Sequence, residues 1–432
     1  MKIWIHGGRV IDPGRLEGDF DLLVEAGKIV DIFSGRPETD AAGRAEITAD
    51  RKINAAGMIV CPGLIDMHVH FREPGQEHKE SIATGVAAAA RGGFSAVCTM
   101  PNTQPAADTP ETVAFILEQG RAAGGVRVYP VGAITRELKG AALCDFEALV
   151  AQGAIAVSDD GMPVMNSRLM RRAMERAKAL NLLVISHSED IPLASGGAMN
   201  EGDAARGMGV GGIPDIAETI GVMRDIAVAE FTGARLHIAH VSTAGSVRAI
   251  RDAKARGVAV TAETAPHYLT MTDDDVPACG THAKMNPPLR TAQDREAVRA
   301  GLADGTIDAI ATDHAPHSAA EKALAFADAP NGVIGLETSL PVSLSLVRDR
   351  LLTLPQLIEK MSVNPARILG IDNRLTVGRP ADITLIDPRA PHRIDARDFR
   401  SKGRNTPFDR WDVEGRAVLT MAAGKIVFEA AD

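Results

Sequence analysis

Ile65-Asp66-Met67-His68-Val69-His70-Phe71-Arg72-Glu73-Pro74-Gly75 is an apolar strand that breaks into a charged loop. Residues 65–71 are the first of eight short runs rich in Val, Ile and Ala; the others are 96–100, 126–134, 154–157, 182–185, 236–241, 258–262 and 307–311. Helix-like stretches separate them, among them 167–180, 213–230 and 244–256. Near-continuous apolar strands that alternate with helices describe a parallel sheet covered on both faces. Eight such units predict an α/β chain closed into a (β/α)8 TIM-like barrel. An open doubly wound sheet is the alternative, but no GxGxxG turn supports one.

Both ends of the chain read differently. Residues 2–11 and 21–33 carry apolar side chains at short spacing, broken by Gly7-Gly8, Pro13-Gly14 and Gly27. Residues 381–387 and 416–428 repeat that pattern, with Gly415 and Gly424 as turns. This is strand and turn chemistry. The expectation is one small β-sandwich domain built from residues 1–56 and 371–432, flanking a barrel over 57–370.

With 432 residues, 45% of them hydrophobic and 24% charged, the chain is long enough for a large core and a smaller unit. No apolar run approaches the roughly 18–20 residues of a spanning helix, so no membrane is expected. The start, Met1-Lys2-Ile3-Trp4, lacks the apolar stretch of a signal peptide, and a cytoplasmic address follows. A net charge of −9 and 3% aromatics give nucleic-acid binding no support. Cys61, Cys98, Cys144 and Cys279 form no CxxC pair and read as reduced, packed thiols.

Function is expected where the runs end. His68 and His70, Asn102, Asp159-Asp160, His187, His240, His267 and Asp313 each lie at or just past the end of a run. The C-terminal ends of barrel strands converge on one mouth, where active sites are built. His68 and His70, two apart on a strand, share a face and can clasp one ion. Singly, each of these residues reads as a hydrogen-bonded core histidine or a helix-capping aspartate. Together they form the His and Asp set that zinc accepts, and the lack of nearby thiols favours a catalytic over a structural ion.

Residues 66–75 resemble the signature of the dihydroorotase family of amidohydrolases. Met100-Pro101-Asn102-Thr103, Ser158-Asp159-Asp160-Gly161, His187-Ser188-Glu189-Asp190 and His240-Val241-Ser242-Thr243 continue the resemblance in order. So do Lys284-Met285-Asn286-Pro287-Pro288-Leu289-Arg290, Ala311-Thr312-Asp313-His314-Ala315-Pro316-His317 and the tail 401–408. Arg410 and Ser188 depart from it, where relatives carry Gly and Cys. The resemblance implies one or two zinc ions, two favoured. His68, His70 and Asp313 would hold one, His187 and His240 the other, with Asp160 as the bridge. It makes Asp313 also the general base and acid. It assigns substrate contacts to His70, Phe71, Arg72, Asn102, Asn286, His317, Asn331 and Gly332, with Arg72 on the substrate carboxylate. His267 is expected just behind the ligands, and residues 318–333 form a mobile-looking loop over the mouth.

The implied reaction interconverts L-dihydroorotate and N-carbamoyl-L-aspartate in pyrimidine biosynthesis. A homodimer and a complex with aspartate transcarbamoylase both stay open as assemblies. Two rival readings remain. Dihydropyrimidinases, hydantoinases and allantoinases share the fold, but they usually bridge their metals with a carboxylated lysine and lack the Arg-Glu-Pro-Gly run. A non-catalytic subunit of aspartate transcarbamoylase would have lost metal histidines, and here every ligand position is filled.

Overall fold

The computed structural model describes residues 1–34 and 47–431; residues 35–46 and Asp432, both inside the expected β-sandwich segments, lie outside the described residues. The eight apolar runs are the strands of one parallel sheet: β1 (Leu64–Val69), β2 (Phe94–Thr99), β3 (Arg127–Ala133), β4 (Ala156–Ser158), β5 (Leu183–Ser186), β6 (Leu236–Ile238), β7 (Val260–Thr264) and β8 (Ala309–Ile310). Each pairs with the next in sequence. The circle closes between β1 and the chain just after β8. Val69 bridges His314 in parallel, and the His70 N–H donates to the His314 carbonyl at 2.8 Å. Asp66 clamps the same seam, accepting from the Thr312 N–H at 3.1 Å and its hydroxyl at 2.5 Å. An open doubly wound sheet has no such closing contact.

Ile65, Met67, Ala96, Cys98, Met100, Val131, Ala156 and Ile185 fill one buried cluster inside the barrel. A larger cluster fills the layer between strands and helices. The helix Ser167–Ala179 shows why these segments coil. Leu169, Met170, Ala173, Met174 and Ala177 recur every three or four residues and are buried, while Asn166 caps the N–H groups of Arg168 and Leu169. Arg176 and Lys178 in its last turn suit the negative end of the helix dipole.

The termini supply two further sheets, one from the N-terminal segment alone and one from both ends. One has four strands (Lys28–Phe33, Asp21–Glu25, Lys2–His6, Arg51–Asn54) and the other six (Lys425–Glu429, Asp412–Ala422, Ile383–Arg393, Ile59–Pro62, Arg9–Asp12, Leu16–Asp19). Ile3, Ile5, Leu22 and Val24 of the first pack with Val10, Val60, Ile383 and Leu419 of the second in a shared core. Gly415, read from sequence as a turn, lies inside the Asp412–Ala422 strand instead. Its φ is +92°, and a Cβ there would sit 2.3 Å from Leu344, so glycine serves close packing beside an irregular stretch of strand pairing.

Candidate functional site

The first strand is not regular. Asp66 pairs with Val97 and Val69 with Thr99, so three steps on β1 oppose two on β2. Such a bulge re-aims side chains. It lies at Met67-His68, and His68 is fully buried at the centre of the barrel mouth.

Four histidines and two aspartates from five strand ends meet there. The Asp160 carboxylate is central: Oδ1 lies 3.3 Å from His68 Nε2, 3.6 Å from His187 Nδ1 and 3.6 Å from His240 Nε2, and Oδ2 lies 3.4 Å from His70 Nε2. Two metal-sized clusters share it: His68, His70 and Asp160, and Asp160, His187 and His240. Asp313 flanks the first cluster, its Oδ1 3.0 Å from His70 Nε2 and 3.6 Å from His68 Nε2. Asp159 turns the other way and accepts from the N–H groups of Ile134 (2.8 Å) and Thr135 (2.9 Å).

The donor set fits cations. Asn102 Oδ1, 2.8 Å from His70 Nδ1, keeps a proton there and leaves Nε2 as a lone pair facing inward. That lone pair sits 3.0 Å from an Asp313 carboxylate oxygen, an arrangement that calls for a positive charge. His187 Nδ1 and His240 Nε2 face each other at 2.8 Å, a spacing that either one N–H between them or a shared cation satisfies. His68 Nε2 and Asp160 Oδ1 are buried without a hydrogen-bond partner among the described residues. A divalent ion in each cluster would satisfy all of these atoms.

Burial opposes ionisation throughout the site, and the partners decide the outcome. Burial alone would lift the Asp313 carboxyl, but the His70 hydrogen bond and the nearby His68 hold it below the ordinary carboxylate range. Asp160 is held down in the same way, above all by His68. His187 is carried up to about 10 despite its burial, because Asp160 and Glu189 stabilise its cation. His267, buried near Asp313 and His240, is pushed down to about 4 and stays neutral. Its Nε2 has no partner among the described residues.

Above the clusters opens a cavity of about 180 Å³ lined by His70, Arg72, Asn102, Asn286, His317, Asn331 and Gly332. Arg72 is buried at 8% exposure. Its Nε donates to the Pro316 carbonyl at 3.2 Å, and burial brings it down to about 10. Glu73 is not its partner, since that carboxylate accepts from the Ile82 N–H at 2.7 Å. His317 Nε2 lies 2.8 Å from the Asn331 carbonyl and so carries the proton. Burial, with Arg72 beside it, holds His317 neutral at about 3. Gly332 has φ +133°, and a Cβ there would meet Ala315 at 2.7 Å. Phe71 does not join the others. Its ring is buried, packed where a Cβ on Gly85 would lie 2.4 Å away, and nearly perpendicular to that of His314.

Two features escaped the sequence reading. Glu263, inside β7, accepts from His68 Nδ1 at 2.9 Å and lies 3.2 Å from His237 Nε2. It fixes the His68 tautomer with Nε2 toward the centre. A carboxylate within an apolar barrel strand must be paired, and that signal was present in Val260-Thr261-Ala262-Glu263. The loop 318–333 is also held, not slack. Lys284 Nζ donates to the carbonyls of Phe326 (2.6 Å), Ala327 (2.9 Å) and Ala329 (2.6 Å). Lys322 Nζ donates to those of Thr281 (3.0 Å), Lys284 (3.2 Å) and Pro330 (2.8 Å).

Residues 57–246 match a family model described as dihydro-orotase-like, and residues 212–428 match one for the amidohydrolase family. A dihydroorotase of Desulforapulum autotrophicum is 55% identical over 99% of both chains, and one of Geobacter metallireducens is 52% identical over 99% of this chain and 100% of its own. Among solved structures, the L-hydantoinase (dihydropyrimidinase) of Arthrobacter aurescens superposes with a TM-score of 0.87 at 27% identity, covering 100% of this chain and 96% of its own. The strand-end histidines and aspartates, the barrel that gathers them and the full-length likeness agree: this chain belongs to the dihydroorotase family of the amidohydrolases.

Proposed function

We propose that the chain is a zinc-dependent dihydroorotase of the cytoplasm, which interconverts L-dihydroorotate and N-carbamoyl-L-aspartate in pyrimidine biosynthesis. One observation carries this reading: two histidine pairs share the Asp160 carboxylate at the floor of a cavity that holds a buried arginine. His68, His70 and Asp313 would hold one ion and His187 and His240 a second, with Asp160 common to both. When bound, the metal supplies a water of lowered pKa and an electropositive pole for the carbonyl under attack.

The rest belongs to the side chains. Asp313 is ionised at neutral pH, so its carboxylate can take the proton of the attacking water. It then delivers that proton to the ring nitrogen as the C–N bond breaks. In the direction of ring closure the same carboxylate takes the proton back. Arg72 offers a planar fork to the substrate carboxylate, and the low local polarity strengthens that pairing. The Asn102 and Asn286 side chains, neutral His317 and the backbone of Asn331 and Gly332 fit the polar rim of the ring. The latched loop 318–333 keeps bulk water from the opened ring.

All six candidate ligands come from one chain, so neither a homodimer nor a transcarbamoylase is required to complete the site. A hydantoinase-like activity draws on likeness of fold and on 27% identity, and no lysine is among the described residues that line the cavity. Turnover of L-dihydroorotate by the zinc-loaded protein, compared with dihydrouracil and hydantoin, tests the reading. A preference for either of the uncharged rings would overturn it.

A further inference from the structure

The helix Asp215–Thr232 is the crossover between β5 and β6, the strands that lead into His187 and His240. Its inward face is apolar, with Ala217, Val222, Ile226 and Ala229 buried, except at Glu218 and Asp225. A carboxylate in such a layer needs partners to offset its burial. Both find them beside the second histidine pair. Glu218 accepts from the N–H groups of Ser242 (3.0 Å) and Thr243 (3.1 Å) and from the Ser242 hydroxyl, just beyond His240. Asp225 accepts from the Ser186 hydroxyl at 2.5 Å, and the Ser188 hydroxyl lies 2.9 Å from that of Ser186. The Arg224 guanidinium, 2.7 Å away, balances the Asp225 charge. Between the two carboxylates Gly221 lets the helix come against Ser188 and Glu189, where a Cβ would lie 2.8 Å from the backbone. Residues 218, 221 and 225 follow at steps of three and four, so one stripe of one helix holds both loops.

Each contact bears on an imidazole. Side chains alternate along an extended chain, so Ser186 and Ser188 facing the helix leave His187 facing the mouth. His240 has φ +34°, a conformation that persists only where neighbouring contacts enforce it. Glu218 supplies such contacts on the residues directly after it. The first histidine pair is held from elsewhere. Asp66 accepts from the His68 N–H at 3.1 Å, Glu263 fixes the His68 ring and Asn102 that of His70.

We propose, resting on the metal reading above, that Glu218 and Asp225 are positioning residues for the ion of His187 and His240, and that the two ions have separate supports. Residues of the barrel strands and their ends hold the His68 and His70 side, and one outer helix holds the other. Ser188, which departs from the family resemblance, belongs to the helix support. Its hydroxyl is a stronger donor toward Ser186 and Asp225 than a thiol would be.

Stepwise removal of zinc from the loaded protein with a chromophoric chelator tests the proposal. Two ions per chain are expected in the wild type. In Glu218→Gln and in Asp225→Asn one ion should bind about tenfold more weakly, as for groups placed behind metal ligands, and the other as before. In a His187→Ala background, which leaves one ion, Asp225→Asn should not change the remaining affinity, whereas Glu263→Gln should still weaken it. Val222→Ala, buried on the same helix, should lower the melting temperature and loosen neither ion. Should Asp225→Asn fail to fold, Ser186→Ala removes the same hydrogen bond more gently and should loosen the same ion. Variants that loosen both ions alike, or neither, would overturn the proposal, as would a wild type that takes up a single ion. A wild type that takes up no zinc would overturn the metal reading itself.

Discussion

Arg72, His240 and Asp313 share a conformation that side-chain-bearing residues avoid: their φ angles are +64°, +34° and +48°. Each costs of order 1–3 kcal/mol in general and persists only where surrounding contacts enforce it. Here the enforced geometry aims a guanidinium, an imidazole and a carboxylate into one cavity. Exchanging Arg72 for Lys keeps the charge but loses the fork. At roughly 1.5–3 kcal/mol for a charged hydrogen bond, kcat/KM for dihydroorotate should fall about 10- to 150-fold. An unchanged kcat/KM in Arg72→Lys would remove Arg72 from substrate binding. Asp160→Asn should lose roughly 10²-fold more activity than Asp159→Asn, since general acid–base and ligand groups carry effects of that order. Asp159→Asn should show its main effect in melting temperature, because its partners are the N–H groups of Ile134 and Thr135 and the Thr135 hydroxyl. Glu263→Gln should weaken zinc affinity roughly 10- to 100-fold, read by competition with a chromophoric chelator. The gathering of histidines and aspartates at the mouth was legible because imidazoles and carboxylates interrupt apolar runs at one recurring place. Glu263 was legible only as a carboxylate in need of a partner, because the partners themselves, His237 and His68, come from other strands. Phe71 took its expected role from its neighbours in the motif, whereas its side chain follows the bulged strand into the core.

At the scale of elements, the eight strands were legible in outline because parallel barrel strands are buried on both faces and read as continuous apolar runs. The bulge in β1 was not, since no residue in Asp66-Met67-His68-Val69 marks it. The loop 318–333 read as mobile because its sequence is rich in alanine and has Pro330-Asn331-Gly332 near its end. Its order comes from two buried amines that each satisfy three carbonyls, a pairing invisible along the chain. Burial, with Lys284 and Arg72 nearby, brings Lys322 down to about 7 from the ordinary lysine value, so its amine has three N–H donors for the three carbonyls only in the charged form below that pH. The folded protein therefore binds fewer protons at this site than the unfolded chain from pH 7 up to the ordinary lysine range. Stability from this residue thus rises with pH across that window and does not fall. Lys322→Met should remove this rise: the wild-type melting temperature should gain on the variant's as pH increases from about 7 to 10. The variant should also raise KM more than it lowers kcat, as expected of a loosened cover. Identical pH slopes for the two proteins would show that Lys322 is not held near neutrality.

For the molecule as a whole, candidate ligands from the first and last barrel strands would make a bound metal part of the closure. Ions that bind only the folded state stabilise it by RT ln(1 + [L]/Kd), about 2.7 kcal/mol at a hundredfold excess over Kd. Chelation should accordingly abolish turnover and lower the melting temperature, and zinc should restore both. Depleting bicarbonate should change neither zinc content nor rate, because Asp160 stands where a carboxylated lysine would otherwise be needed. A rate that depends on bicarbonate would contradict that assignment. The terminal β units were legible from turn glycines and short alternation. Their assembly into one sandwich was an expectation that pairing alone could fulfil, since Ile59–Pro62 lies between strands from opposite ends of the chain.

That closing seam also sets a timetable. Asp66 and Thr312, which clamp it, are 246 residues apart. A chain leaving the ribosome presents His68 and His70 first, then Asp160, His187 and His240, and Asp313 last. For most of translation the histidines are available to any soft cation, while the residue that completes the set and closes the ring has not been made. Ile59–Pro62 meanwhile waits for Ile383 to Ile386, its antiparallel neighbours, and carries an open strand edge until they arrive. Chains cut short before Ile383 should therefore keep that edge open, and should sediment as aggregates at concentrations at which the full chain does not.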